Sequence, residues 1–399
     1  MTYSLDTGSG SPLQVASDVL NLFREHGSMT RADVIRRSGL ARSTVQQRLD
    51  ALLQAELIRP TGEEAPTRGR PASQFSFNHD RGVLLVADVG ATGLRAALCD
   101  LRGTIKAELD CAVDVATGPQ HVLTAANELF DQLLSHSGRD TADVLGIGVD
   151  VPGPVDFASG QVISPPIMTG WDRYDIPAWF AAHYSATVLV DNDVNAMAFG
   201  EQRTHYRHVE NVLMLKVGTG VGAGLILGGN IHRGADGSAG DIGHVHLTVP
   251  DTTEEPLCRC GNTGCVEAYT SGWALVRDLG KAGADVKTVD EVVSLIRSGD
   301  PLAVGLARRT GRILGDAIAE AVSLLNPRVV VVGGQLAHAE DQLFAGMREV
   351  VYRRSLPLAT RNLAIVPSRL DRRAGLIGMA LLLADTLFAT DRIETLAAR

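Results

Sequence analysis

No stretch of this chain is apolar over enough residues to cross a membrane. The longest apolar run, around residues 376–383, has the length of a core helix. Residues 1–6, Met-Thr-Tyr-Ser-Leu-Asp, lack both a basic start and an apolar stretch, so no secretory signal is expected. Cysteine is scarce, five in 399 residues, and without secretion that usage fits a reducing cytoplasm. Cys99 and Cys111 lie in or beside strand-like sequence and carry no expected role. A uniform charge is also missing. The chain is acidic overall, with net charge −9, yet residues 24–48 hold six arginines (24, 31, 36, 37, 42, 48) against two acids, Glu25 and Asp33. An acidic protein with one basic face does not coat nucleic acid over its whole surface, but it can present a single DNA-binding module. The length exceeds one ordinary domain and suggests two or three.

Three of the cysteines sit in one tight run, Cys258-Arg-Cys260-Gly-Asn-Thr-Gly-Cys265, with Gly243-His244 upstream. Three thiolates and one imidazole complete a four-coordinate Zn²⁺ shell and leave no position for a catalytic water, so the ion is expected to be structural. Gly261 and Gly264 let the backbone fold tightly enough for the sulfurs to converge. His244 and His246 point the same way on a strand-like stretch. His244 is the expected fourth ligand, and His246 is the alternative. Asp241 and Glu267 flank the cluster.

Residues 12–26 carry a helical apolar pattern that stops at Gly27. Thr30-Arg-Ala-Asp33 reads as a capping-box helix start, with Gly39 as the stop. A short turn leads into Arg42-Ser-Thr-Val-Gln-Gln-Arg-Leu-Asp-Ala-Leu-Leu. There Val45, Leu49 and Leu52 share one face, and Arg42, Ser43, Thr44, Gln47 and Arg48 are left for the other. Next come residues 57–59, a polar loop and residues 75–77, a two-stranded wing with Thr67-Arg68-Gly69-Arg70-Pro71 at its tip. This order predicts a winged helix-turn-helix over residues 1–80. Gln and Arg on the helix suit base edges of double-stranded DNA. Arg68 and Arg70 on a stiffened loop suit a minor groove or its phosphates.

After residue 80 the texture changes. Val83-Leu-Leu-Val-Ala-Asp88-Val-Gly90-Ala-Thr92-Gly93 is a buried strand entering a Gly-rich turn. Residues 212–227, around Gly218-Thr219-Gly220, repeat the unit, which suggests an internal duplication. Backbone amides in such turns cradle phosphates. Residues 146–154 and 328–335 also end in glycine turns, at Gly153 and Gly334. Between them, Thr187-Val-Leu-Val-Asp191-Asn192-Asp193-Val-Asn195 is a strand ending in carboxylates and amides, where open α/β folds bind ligands. Asp193 can take a proton from a sugar hydroxyl. Asp191 is read as a helix cap.

Together, Asp88-Val-Gly-Ala-Thr92, Pro152-Gly153-Pro154-Val-Asp156, Asn192-Asp193-Val-Asn195-Ala, Gly218-Thr-Gly220, Gly240-Asp241-Ile-Gly-His244 and the cysteine run resemble the ROK family (repressors, open reading frames and kinases) over about residues 80–390. The resemblance implies an α/β actin-like (ribonuclease H-like) two-lobe fold behind the winged helix-turn-helix. One lobe would comprise residues 81–192 plus 374–399, and the second, with the zinc site, residues 193–373. It further implies that Gly153, Asn192, Asp193, Asp241, His244 and Glu267 hold a monosaccharide. Asp88, Gly90, Thr92, Gly218, Thr219, Gly220 and Gly334 would line a nucleotide site. His244 would serve both sugar and zinc through its two ring nitrogens.

The sequence departs from the family pattern at Asp241, where the family has Glu, and at Ala91 and Gly93 in the first phosphate turn. One methylene less shortens the carboxylate's reach by roughly 1.5 Å. The expectation is therefore a cytoplasmic, dimeric or tetrameric, sugar-responsive regulator acting on a palindromic operator, with Asp193 a vestigial base. The alternative is an active sugar kinase using ATP and Mg²⁺.

Overall fold

The structure, a computed structural model, describes residues 13–65, 72–250 and 254–394. The N-terminal module opens with α1 (Ser17–His26), which ends at Gly27 with φ +76°. β1 (Met29–Thr30) leads into α2 (Arg31–Ser38) through the expected capping box. The Thr30 hydroxyl accepts from the Asp33 amide at 3.2 Å, and the Asp33 carboxylate accepts from the Thr30 amide at 3.0 Å. Such a cap contributes about 1 kcal/mol to helix stability. α3 (Arg42–Gln54) buries Val45, Leu49 and Leu52 against Val19, Leu20, Phe23 and Val34. β2 (Ile58–Ala65) and β3 (Ala72–Phe77) pair antiparallel as the wing, with β1 on the other edge of β3. The wing tip, with Arg68 and Arg70, lies outside the described residues.

The remaining chain builds two five-stranded sheets with one layout. The first has β4 (Val83–Val89), β5 (Gly93–Cys99), β6 (Ile105–Ala112), β7 (Val144–Val151) and β10 (Thr187–Asn192). Its order is β10-β7-β4-β5-β6, antiparallel from β4 to β6 and parallel from β4 to β10. The short strands β8 (Val155–Asp156) and β9 (Gln161–Val162) form a separate hairpin. The second sheet has β11 (Val212–Val217), β12 (Val221–Leu227), β13 (Asn230–Ile231), β14 (Val329–Gly333) and β15 (Ala364–Pro367), in the equivalent order β13-β12-β11-β14-β15 and with equivalent directions. The internal duplication is thus a duplicated sheet. Each Gly-rich turn is the first hairpin of its sheet, β4–β5 and β11–β12. Strands buried on both faces read as continuous Val/Leu/Ile runs, as the sequence does here.

Helices α4 (Pro119–Ser137) and α5 (Ile176–Ala181) cover the first sheet. The second is covered by α7 (Val266–Thr270), α8 (Gly272–Lys281), α9 (Val289–Arg297), α10 (Pro301–Leu325), α11 (Glu340–Arg354) and α12 (Pro357–Thr360). Between the sheets, α6 (Asp193–His205) crosses α13 (Ala374–Leu387). Their backbones meet. A Cβ on Gly378 would lie 1.8 Å from the Ala196 carbonyl oxygen, and one on Gly200 would lie 2.7 Å from that of Ala374. Only glycine permits such a crossing.

The N-terminal module does not have a separate core. Its apolar cluster runs on into Met379, Leu383, Leu387 and Phe388 at the end of α13. Phe77 of the wing meets Phe388 edge-to-face, with centroids 5.2 Å apart. Such a ring pair contributes about 0.5–1.5 kcal/mol beyond its buried area. Among the described residues, no helix is long and apolar enough to cross a membrane.

Candidate functional site

The two Gly-rich hairpins face one another across a cleft of about 800 Å³. Every residue expected to hold sugar or nucleotide lines it: Gly153, Asn192, Asp193, Asp241, His244 and Glu267, and Asp88, Gly90, Thr92, Gly218, Thr219, Gly220 and Gly334. Their individual roles differ from expectation in places. The Gly90 and Gly218 amides donate to Gly93 and Gly220 at 2.8 and 2.9 Å. These two amides close their own turns and are not free for a phosphate. Gly334 has φ +89°, and a Cβ there would lie 2.6 Å from the Val217 carbonyl oxygen. Glycine is therefore required where the turn after β14 packs on the end of β11.

Asn192, not Asp191, caps α6. Its Oδ1 accepts from the amides of Val194 and Asn195, while its Nδ2 donates to the Gly153 carbonyl at 3.1 Å. The Asp191 cap is thus corrected. Asp191 is one residue too early and points aside, accepting from Asn195 at 3.0 Å and pairing with Arg233 at 2.5 Å. The Arg233 guanidinium also lies 3.6 Å from the Phe157 ring centroid. Asp193 is the first helical residue, where the helix dipole favours a carboxylate. Burial nevertheless pushes its pKa up. Glu267 is buried at the start of α7, and its Oε2 accepts from the Val221 amide at 3.0 Å. The shorter Asp241 side chain stays exposed, 3.9 Å from His244 Nε2.

Four groups in or beside the cleft were not singled out from the sequence: Lys216 and Arg95 line it, and Asp150 and Arg233 lie behind its lining. Lys216, the penultimate residue of β11, ion-pairs with Asp193. Arg95 of β5 pairs with Asp88 at 2.5 Å. Asp150 of β7 is fully buried beside Asp88, its register partner, and among the described residues neither of its oxygens takes a hydrogen bond from a donor. Burial and the facing carboxylates of Asp88 and Asp193 hold its pKa well above the usual range. Arg233 is the fourth.

Beside the cleft, the donor atoms of His244, Cys258, Cys260 and Cys265 all lie within 4.8 Å of one another. Cys258 Sγ is 3.7 Å from His244 Nδ1, and Cys260 Sγ is 3.7 Å from Cys265 Sγ. A tetrahedral ion with metal–sulfur bonds of about 2.3 Å needs donor separations of about 3.8 Å, so these residues fit Zn²⁺. His246 is turned away, with Nε2 3.0 Å from Glu255. Of the two candidate histidines, the geometry therefore brings His244 to the sulfurs. Its Nδ1 faces them and its Nε2 faces the cleft side.

On the N-terminal module, Arg42, Ser43 and Gln47 are exposed on α3, and Thr44 is half-buried. Arg48 departs from expectation. Its guanidinium pairs with Asp18 at the start of α1, and its side chain is only 13% exposed. At position 48 the side chain lies beside the buried Leu49 and folds back over the module instead of projecting from it.

The comparisons with known proteins agree with this architecture. The profile of the ROK family matches residues 85–386, and that of the IclR helix-turn-helix domain matches residues 12–62. The xylose repressor of Caldicellulosiruptor bescii is 26% identical over 384 residues, covering 92% of this chain and 95% of that protein. A solved ROK family transcriptional regulator, a homologue of the Escherichia coli Mlc protein, superposes with TM-score 0.81 at 27% identity, over 97% of this chain and 99% of that one. A ROK family glucokinase from Streptomyces griseus, solved with glucose and AMPPNP, superposes with TM-score 0.65 at 28% identity. It covers 76% of this chain and 99% of its own.

Proposed function

The chain belongs to the ROK family, and from that premise we propose that it is a sugar-responsive, DNA-binding transcriptional repressor of carbohydrate metabolism, with a kinase-derived body as its sensor. One observation carries this reading: the helix that passes under the ligand cleft ends inside the core of the DNA-binding module. Gly375, at the start of α13, lies against Asp88 and Asp150, and Phe388, just past its end, packs on Phe77. α6 runs beside it from Asp193 to Arg203, and Arg203 and Arg24 both reach Asp385. Glu201 on α6 also accepts from Ser368 and from the amides of Arg369 and Leu370, which lead into α13. A monosaccharide gripped by both lobes would shift the population toward a closed cleft. These two helices would carry that shift to the wing.

On this reading, Asn192, Asp193, Asp241, His244 and Glu267 meet sugar hydroxyls, with Gly153 approaching by its backbone. A structural Zn²⁺ held by His244, Cys258, Cys260 and Cys265 fixes the imidazole and the start of α7. When bound, the ion supplies no catalytic chemistry; its closed shell only orients its ligands. Arg42, Ser43, Thr44 and Gln47 face the major groove of a palindromic operator, read by a homodimer in the cytoplasm.

The test is operator affinity, followed by fluorescence anisotropy on promoter fragments, with and without each of a panel of monosaccharides chosen by thermal shift. A sugar that raises the melting point and changes operator affinity supports the reading; absence of specific DNA binding by the full chain overturns it. Asp193→Asn should weaken sugar binding by about 1.5–3 kcal/mol. The second reading, an ATP-dependent sugar kinase, is favoured by the likeness to the glucokinase and by the place of Asp193. A coupled assay with ATP, Mg²⁺ and the best-bound sugar decides it. Turnover on the order of 1 per second, lost in Asp193→Asn, would establish the kinase.

A further inference from the structure

Asp88 and Asp193 line the floor of the cleft, and Asp150 lies fully buried behind Asp88. Asp88 and Asp150 sit side by side on neighbouring parallel strands, and a Cβ on Gly375 would lie 2.8 Å from an oxygen of the first and 3.2 Å from one of the second. Asp193 enters from α6. All three are buried. Carboxylate oxygens are hard ligands that suit a small divalent cation, and phosphoryl transfer needs one there to bridge phosphate oxygens. Among the described residues, however, only the His244, Cys258, Cys260 and Cys265 donors lie within 4.8 Å of one another, so the three aspartates are not drawn together as a metal shell while Lys216 is present. In this chain the position is already supplied with positive charge. Lys216 reaches in from β11 and pairs with Asp193, and Arg95 pairs with Asp88. Among the described residues, Asp150 remains without a donor, both oxygens buried and one of them beside Gly375 and Asp88.

We propose that the Lys216 ammonium stands in for the divalent cation of a phosphoryl-transfer site, and that Asp88, Asp150 and Asp193 form a divalent-cation site which opens only when the lysine is removed. The ammonium is held at that place by its ion pair with Asp193, while the Arg95 guanidinium pairs with Asp88. A permanent internal cation neutralises the base and occupies the metal's place. The cleft is then left able to hold a sugar without a metal–nucleotide complex.

The experiment is a Mn²⁺ titration of the full-length protein, read by loss of the free-ion electron paramagnetic resonance signal. Mn²⁺ prefers oxygen ligands, which separates this site from the Cys/His cluster. Wild type should bind Mn²⁺ weakly at this place. Lys216→Gln should bind one ion per chain at least about tenfold more tightly, and Asp150→Asn combined with Lys216→Gln should lose it. The proposal is overturned if folded Lys216→Gln gains no site. It is also overturned if wild type binds as tightly as the variant and loses the ion on Asp150→Asn. Lys216→Thr, which leaves room for the ion's water, is the second variant. If both single variants are unfolded without metal, a cooperative melt restored by Mn²⁺ supports the proposal, and none restored overturns it. Operator binding by the same proteins is scored separately, so failure here leaves the DNA-binding reading standing.

Discussion

Arg24 of α1, the first helix of the N-terminal module, donates to Asp385 of the last helix at 2.8 Å, across 361 residues of sequence. The same guanidinium lies over the Phe388 ring, 4.8 Å from its centroid. Asp385 also takes Arg203, at the far end of the helix that begins with Asp193. Both arginine pairs are partly solvated, so each contributes about 0.2–1 kcal/mol at most. Asp385→Ala should therefore lower global stability only slightly. Its effect should appear instead in coupling. The ratio of operator affinities without and with saturating sugar should fall toward one, while sugar affinity itself is retained. An unchanged ratio would remove this route from the cleft to the wing.

Helix α3 offers a contrast between neighbours. Gln47 is exposed and free to form two hydrogen bonds to a base edge, whereas Arg48 is held by Asp18. Gln47→Ala should relax preference at one base pair per half-site, by about 1–3 kcal/mol. Arg48→Ala should loosen the packing of α3 on α1 and lower the melting point without changing which base is preferred. Anisotropy measured against a set of single-base operator variants distinguishes the two.

Much of this architecture was legible because it is local. The Thr30–Asp33 capping box, the stops at Gly27 and Gly39, the two strand–glycine turn–strand units and the Cys258–Cys265 run each declare themselves within a dozen residues. What escaped reading depends on distance or on strand parity. Lys216 looks like a stray charge in Val-Leu-Met-Leu-Lys-Val. Period-two counting puts it on the same face of β11 as Val212 and Met214, which pack against α6. That parity, two residues before Gly218, is a signal that could have revealed it. Arg233 meets Asp191, and Arg24 meets Asp385, only because the topology folds them together. The shared core of α13 and the wing was hidden for a related reason. An apolar run such as 376–383 does not say which partner it covers.

The metal site predicts a composite loss. Purified protein should carry about one Zn²⁺ per chain, and Cys260→Ser should strip it. His244 would then lose the ligand that fixes its Nδ1, and the turn before α7 would lose its anchor, so Glu267 would no longer be held at the Val221 amide. Sugar binding should fall with metal content, at least about tenfold. His246→Ala should leave the zinc in place, because that imidazole faces Glu255. Metal analysis by plasma mass spectrometry, alongside sugar titration, checks both. Untreated protein without zinc would end the assignment.

The buried carboxyl of Asp150 sets a pH dependence whose sign follows from linkage. Its folded-state pKa is raised above the ordinary 3.8 by burial and by the charges of Asp88 and Asp193. Below that ordinary value the group is protonated in both folded and unfolded chains and makes no difference to stability. As pH rises past it, the unfolded chain releases the proton freely while the folded chain retains it. The folded state then binds more protons, and stability falls with rising pH until the folded-state pKa is passed. An asparagine in its place would carry no such proton, and its amide can still donate to Asp88 as the protonated acid does. Asp150→Asn should therefore melt higher than wild type, by a margin that is small near pH 4, grows with pH and levels off once the wild-type group has ionised. Melting points of the two proteins compared at acidic, neutral and mildly alkaline pH give the curve. A margin that is flat, or that shrinks with pH, would show that Lys216 already holds Asp150 ionised.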